Sequence, residues 1–161
     1  RLKNKLNLSL AGNKILSHTI NRTILSNCFN KIIIATSNMK EFKNYRSKIV
    51  EVVKTPVAST GTERISKIVK KYNAKNIYIL FGDEFLIMPE QIKKFVKLTN
   101  NVKKFAVFNA VSNISVEDID NNSIVKCIIK KKQIIDFKRV VSLTEKNNCK
   151  NSVGLFCIKK E

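Results

Sequence analysis

Short runs of β-branched and aromatic residues alternate with stretches of helical periodicity along most of this chain, and that alternation limits its fold more than any other feature. "KIIIAT" (31–36), "IVEVVKT" (49–55), "KNIYILF" (75–81) and "KKFAVFNAV" (103–111) are too short for helices and too apolar for loops, so they read as strands. "GNKILSHTINRTILSN" (12–27) spaces Ile15, Thr19, Ile20, Ile24 and Leu25 at helical intervals, and "KEFKNYRSK" (40–48) reads as a polar helical link. Thr60 or Thr62 can cap a helix through "ERISKIVKKY", with Ile65, Ile68, Val69 and Tyr72 on one face, and Pro89 stands where "PEQIKKFVKLT" can begin another. "SIVKCIIKKKQIIDFKR" (123–139) predicts two strands around a lysine turn, and "SVGLFCIKK" (152–160) predicts a last strand. Strands separated by helices need crossover connections, which gives an α/β fold with a mostly parallel sheet and helices on both faces. With 161 residues, 4 Gly and 2 Pro, there is room for one domain, 1–161, and little for a linker.

Charge is the loudest compositional signal. The 31 Lys+Arg against 12 Asp+Glu give a formal +19, which favours polyanions such as phosphates, nucleic acid or an anionic surface. The lysines are spread along the whole chain, and the denser run at 126–139 sits between apolar segments as a hairpin turn would. No RNA- or DNA-binding pattern accompanies the charge, so nucleic acid is not the expected partner. Cys28, Cys127, Cys149 and Cys157 lack metal-ligand spacing, and the single His18 completes no zinc set, so ordinary thiols are expected. No apolar run reaches the roughly 18 residues of a membrane span, and no secretory leader pattern is visible, which makes the cytoplasm the expected location.

Against this basic background, "ILFGDEFLIMPEQIKKF" (79–95) puts Asp83 and Glu84 directly after a strand. In α/β sheets ligands sit beyond the carboxyl ends of strands, so at least one of the two faces a ligand rim. A carboxylate there can hold a divalent cation together with phosphate oxygens, or it can cap the following helix. The residues alone leave both readings open.

Several stretches, taken in order, resemble a known family. "RLKNK", "GNKILSHTI", "IIIATS", "TGTERI" and "FGDEFLI" are similar to segments of the sugar-nucleotide cytidylyltransferases, most of all those acting on 3-deoxy-manno-octulosonate (Kdo). Those enzymes carry RLPGK, a GKPMI-type helix start, IVATD, SGTER and QGDEP. "NNSIVKCII", "DFKR" and "SVGLFCI" resemble their NAVKVV, FSR and HLGIYGY segments, so the likeness runs over nearly all of the chain.

The resemblance implies a Rossmann-like three-layer nucleotidyltransferase fold and an enzyme that transfers CMP from CTP to an acidic, Kdo-like sugar with release of pyrophosphate. Mg²⁺ is the implied cofactor and Asp83 its ligand. Arg1 and Lys5 fall on the triphosphate loop, and with Asp83 they form the implied catalytic set. Thr36, Ser37, Thr60, Gly61, Thr62 and Arg64 match the nucleotide-binding positions, while Lys126 and Arg139 match positions near the sugar acid. A homodimer is the family's common arrangement. This sequence departs from the pattern where Ser37 stands for Asp, where Phe81 and Phe85 flank the acidic pair, and where Ser152 stands for His. The family fold also has a central strand ahead of the "RLKNK" loop and a C-terminal region with a second metal-binding Asp, neither of which lies within residues 1–161. The contrasting expectation is a catalytically reduced relative, or a basic nucleotide- or nucleic-acid-binding module of the same fold.

Overall fold

The computed structural model describes residues 5–102 and 107–159. A 3-10 turn at Lys5–Asn7 leads into a small hairpin, β1 (Ser9–Leu10) and β2 (Asn13–Lys14), whose Ala11–Gly12 turn has both residues at positive φ, 48° and 77°. Two-residue hairpin loops need that left-handed backbone, and Gly12 supplies it without strain.

Helix α1 (Ile15–Leu25) follows directly. Its buried stripe is Leu16, Thr19 and Ile20, whereas Ile24 and Leu25 are exposed, so the core-facing side is turned slightly from the one the sequence predicts. Asn27, at φ 51°, ends the helix in the left-handed conformation that Asn tolerates. Strands β3 (Ile32–Thr36) and β4 (Val50–Lys54) pair in parallel, Ile32 against Val50 through Thr36 against Lys54. Between them run a short helix, α2 (Met39–Phe42), and a 3-10 turn at Lys43–Tyr45. Leu16, Ile20, Phe42, Val50 and Val52 form one core, so α1 and α2 are held to this strand pair by apolar burial.

Helix α3 (Gly61–Val69) leads to β5 (Asn76–Leu80), and α4 (Pro89–Asn101) leads from β5 to β6 (Val107–Ser112). The hairpin of β7 (Lys126–Lys130) and β8 (Gln133–Lys138) turns at Lys131 and Lys132, both at positive φ. β9 (Cys149–Lys159) ends the described chain and is the axis of the larger sheet, ordered β5-β9-β7-β8 with β6 on the other edge of β9.

The α/β class is as the sequence predicts, but among the described residues parallel pairing is confined to β3 and β4. β5 and β6, joined by the α4 crossover, do run in the same direction; β9 lies between them and antiparallel to both, with Cys157 opposite Tyr78 on one side and Phe108 on the other. The crossover rule therefore sets the direction of β5 and β6, and a strand from the far end of the chain takes the place between them. Ile87 and Ile92 pack on Leu155 to fix α4 to this sheet, and Ile128, Val141 and Cys149 form a third core under the hairpin. The four cysteines are free thiols, and burial pushes those of Cys127 and Cys157 up from the ordinary value. Among the described residues no helix is long and apolar enough to cross a membrane.

Candidate active site around the Asp83 loop

β5 runs out at Leu80, and the next four residues form a turn clamped from two sides. The Phe81 N–H donates to the Gly154 carbonyl at 2.9 Å, carrying the β5/β9 ladder one residue further, and the Glu84 N–H closes the turn on the Phe81 carbonyl at 3.0 Å. From β9, the Gly154 N–H donates to Glu84 Oε1 at 2.9 Å. From α1, Thr19 Oγ1 donates to the Gly82 carbonyl at 2.8 Å. Close approach is sharpest at Gly154, where a Cβ would lie 2.6 Å from Glu84 Oε1 and 2.8 Å from Phe81 Cδ2; one on Gly82 would press on Leu16 at 3.0 Å.

This clamp separates the roles of the two carboxylates. Glu84 is turned into the fold and engaged by β9. It does not cap α4, which begins at Pro89, where the Gln91 side chain accepts from the Met88 N–H at 2.8 Å. Asp83 is left one-third exposed and forms an ion pair with Lys5. Asn7, two residues on, donates to Glu41 of α2, and Glu41 also accepts from Asn38 Nδ2 at 3.2 Å. The segment carrying Lys5 is thereby tied to the loop that leaves β3.

That loop holds two of the candidate nucleotide residues. Thr36 is buried, its Oγ1 accepting from the Asn38 N–H at 3.0 Å, while Ser37 is exposed. The Thr36 carbonyl accepts from the Thr55 N–H at 2.8 Å, and Arg64 Nη1 donates to Thr55 Oγ1 at 2.9 Å, so a guanidinium from α3 reaches the ends of β3 and β4. Thr60 caps α3, its hydroxyl accepting from the Glu63 N–H at 3.0 Å. Gly61 stands against the Phe81 ring, where an added Cβ would come within 3.4 Å. Thr62 is exposed beside it. Lys5 is thus joined to Asp83, Gly61 to the Phe81 ring two residues before it, and Arg64 through Thr55 to Thr36, with Thr60 capping the helix that carries Gly61 and Arg64. Arg1 lies outside the described residues.

Lys126 and Arg139 have a different setting. Lys126 is completely buried on β7, its Nζ donating to the carbonyls of Asn121 at 2.6 Å and Arg139 at 2.7 Å. Arg139 Nη1 donates to the carbonyls of Asn122 at 3.0 Å and Ser123 at 2.8 Å, from an exposed position. Both cations brace the 121–123 turn, and no hydrogen bond joins them to the Asp83 loop.

Sequence reasoning passed over Thr19, Thr55 and Gly154. The lone glycine inside the apolar strand "SVGLFCI" is the one visible signal among them, since a strand glycine often marks a close approach. Thr19 reads as part of a helix stripe, and its bond to Gly82 spans the fold.

Comparison with known proteins bears on the family and the fold. A family model described as Cytidylyltransferase matches residues 1–159. The chain is 27% identical over 147 residues to a 3-deoxy-manno-octulosonate cytidylyltransferase of Protochlamydia amoebophila, covering 87% of this chain and 57% of that protein. It is 30% identical over 135 residues to the Arabidopsis thaliana protein named 3-deoxy-manno-octulosonate cytidylyltransferase, mitochondrial, covering 80% of this chain and 46% of the relative. It thus spans about half the length of the curated relatives it matches. The solved structure of a CMP:2-keto-3-deoxy-manno-octonic acid synthetase complexed with CTP superposes with a TM-score of 0.81 at 20% identity, covering 99% of this chain and 68% of that one. A UDP-glucose pyrophosphorylase complexed with UDP-glucose superposes at 0.71 and 11% identity, over 96% of this chain and 67% of that one. At such identities the superpositions establish the nucleotidyltransferase fold, while the family model covers nearly every residue. The chain belongs to the cytidylyltransferase family.

Proposed function

We infer that this chain carries the CTP-binding and transfer site of a cytidylyltransferase that activates an acidic, Kdo-like sugar as its CMP derivative. The observation that carries the reading is the Asp83 carboxylate. It is held in the open by a loop whose other acid is tied down, with Lys5 against it and Arg64 joined through Thr55 to Thr36.

In the proposed reaction the sugar's anomeric hydroxyl oxygen bonds to the α-phosphorus, the bond from that phosphorus to the pyrophosphate oxygen breaks, and the hydroxyl proton is lost to solvent. Positioning and charge neutralisation do most of the catalysis of such a transfer. Arg1 and Lys5 bind the triphosphate. Thr36, Ser37, Thr60, Gly61, Thr62 and Arg64 bind and orient the nucleoside, small side chains and hydroxyls allowing close backbone approach. Arg139, exposed beside the 121–123 turn, meets the sugar carboxylate, and buried Lys126 keeps that turn in shape. A homodimer acting in the cytoplasm completes the reading; Ile135 and Phe137, exposed on edge strand β8, support the dimer alone.

Asp83 suits a divalent cation, Mg²⁺ in this reading. The carboxylate is partly exposed and already faces one positive charge. Among the described residues no group of three His, Cys, Asp or Glu side chains could hold a metal without further ligands. A single carboxylate fits Mg²⁺, which takes its remaining ligands from phosphate oxygens and water. Bound with the nucleotide, the cation supplies neutralisation of the phosphate charge.

The test is pyrophosphate release with CTP, Kdo and Mg²⁺ by the wild type and by Asp83→Asn, beside thermal melts. Asp83→Asn should lower turnover at least about 100-fold with an unchanged melt, since it removes a charge that acts on the transferring group. Titration with CTP, UTP and a random oligonucleotide completes it. Oligonucleotide binding far tighter than that of CTP, without turnover, would favour the basic binding module instead.

A further inference from the structure

We propose that Asn109 is a positioning residue for the transfer reaction: its side-chain amide fixes a bulge in β9, and through Gly154 that bulge sets where the Asp83 carboxylate stands. The proposal rests on the cytidylyltransferase reading above and adds to it a residue on the opposite edge of β9 from the Asp83 loop.

The pairing of β6 with β9 breaks beside this loop. Asn109 lies opposite Phe156 and Val111 opposite Ser152, which leaves Ala110 alone against Val153, Gly154 and Leu155. A bulge interrupts the ladder and bends its strand, so the backbone there needs other partners. Asn109 supplies them. Its Nδ2 donates to the Val153 carbonyl at 2.9 Å and to the Leu155 carbonyl at 3.2 Å, the two carbonyls that flank Gly154. Its Oδ1 accepts from the Ser152 hydroxyl at 3.0 Å and from the Cys127 thiol at 3.4 Å. Both donors and both acceptor positions of the amide are used, so its orientation is fixed. Asn is disfavoured in strands, and "VFNAV" (107–111) sets one among apolar residues. Those four bonds give it a task there.

Gly154 is buried between the two carbonyls and turns its own polar groups the other way. Its carbonyl accepts from the Phe81 N–H and its N–H donates to Glu84 Oε1, both at 2.9 Å. Phe81 and Glu84 are the two ends of the turn that contains Asp83, so a shift at the bulge is passed to both ends of that turn. Misplacing a group that acts on the transferring phosphate by about 1 Å is enough to cost about 100-fold in rate. Asn109 acts on that placement and leaves the nucleotide contacts to other residues.

Asn109→Ala removes both donors. Hydrogen exchange of the Gly154 and Phe81 amides, followed by NMR, should quicken at least about tenfold. The kcat for pyrophosphate release with CTP, Kdo and Mg²⁺ should fall about 10- to 100-fold while KM for CTP stays within about twofold, the split expected when a reacting charge is displaced and nucleotide binding is not. Tyr78→Phe is the control for stability alone: it removes a hydroxyl that bonds Thr99 Oγ1 at 2.9 Å between β5 and α4, and it should lower the thermal melt with kcat unchanged. Asn109→Asp adds a pH profile. Its carboxyl donates to a flanking carbonyl when protonated and repels both when ionised, so its kcat relative to wild type should rise at least about threefold as the pH falls from 8 to 5. Unchanged kcat in Asn109→Ala, or an equal loss in Tyr78→Phe, would overturn the proposal; if Asn109→Ala does not fold, a flat pH ratio in Asn109→Asp would overturn it. A wild type that neither binds CTP nor releases pyrophosphate would instead overturn the functional reading, and the role in transfer with it, whatever the amides show.

Discussion

Lys5 and Lys126 are both cations that the sequence assigns to ligand duty, and the fold treats them in opposite ways. Lys5 stands at the surface against a carboxylate, its side chain 39% exposed. Lys126 is enclosed, with two backbone carbonyls at 2.6 and 2.7 Å and no exposed surface. A buried ammonium is costly unless its donors are satisfied, so the surrounding turn is built to satisfy them. The same residue type at a motif-matched position can therefore present its charge to a ligand or use it to hold a loop. Solvent access and partner decide which.

The largest expected effect tests the Lys126 side of this contrast. Lys126→Met keeps the side chain's length but removes the two hydrogen bonds that a buried charged donor makes to the Asn121 and Arg139 carbonyls, at a cost of about 2–4 kcal/mol. Lys5→Met, at an exposed pair, should change stability by about 1 kcal/mol or less. Urea denaturation of the two variants side by side checks this. Equal stability would show that Lys126 is no more structural than Lys5.

Next in size are changes at the clamp that presents Asp83. Gly154→Ala forces a methyl group against Glu84 and Phe81 and should cost about 1–3 kcal/mol as overpacking. Glu84→Ala removes the acceptor of the Gly154 N–H and should cost about 1–2 kcal/mol, whereas Glu84→Gln keeps an acceptor oxygen and should lose about half as much. Thermal melts order the three. If Glu84→Gln proves as damaging as Glu84→Ala, the carboxylate's charge matters more than its bond to Gly154.

How far the molecule is legible from its residues follows the same division between local and distant causes. Runs such as "KIIIAT" and "KNIYILF" announce strands because β-branched side chains are themselves the local cause, and Thr60 and Pro89 mark the starts of α3 and α4 for the same reason. Pairing is less legible. Nothing within β5, α4 or β6 tells that a strand some fifty residues further on will lie between two strands that a crossover joins. The β1–β2 hairpin escaped because its strands are two residues each, too short for any periodicity, although Gly12 marks its turn. Within the candidate site, Asp83 and Arg64 are proposed from the pattern of residues alone. Thr19 and Gly154 act through bonds to Gly82 and Glu84 that only the fold creates. Lys126 illustrates the reverse failure: a position resembling a binding site says nothing about burial.

The smallest effect concerns acid, and it touches one carboxyl in each region. Glu63, at the start of α3, is held down at about 2, first by Lys67 and then by the Ser59 hydroxyl and N–H. Glu145, beside the β7–β8 hairpin, is held at about 2, first by Lys138 and then by the backbone and hydroxyl of Ser142. Both values lie below the ordinary 4.5, so each group adds stability that is fully present above pH 4.5 and is lost as the pH falls toward 2. Because both carboxyls are partly exposed, salt should weaken the effect. Carboxyl NMR titration in low salt should show both groups ionised at pH 3.5, and Glu63→Gln should flatten the acid response of α3 while leaving that of the hairpin intact. A Glu63 that titrates near 4.5 would mean that its bonds to Ser59 and Lys67 are not populated in solution, leaving the Thr60 hydroxyl to hold the start of α3 without them.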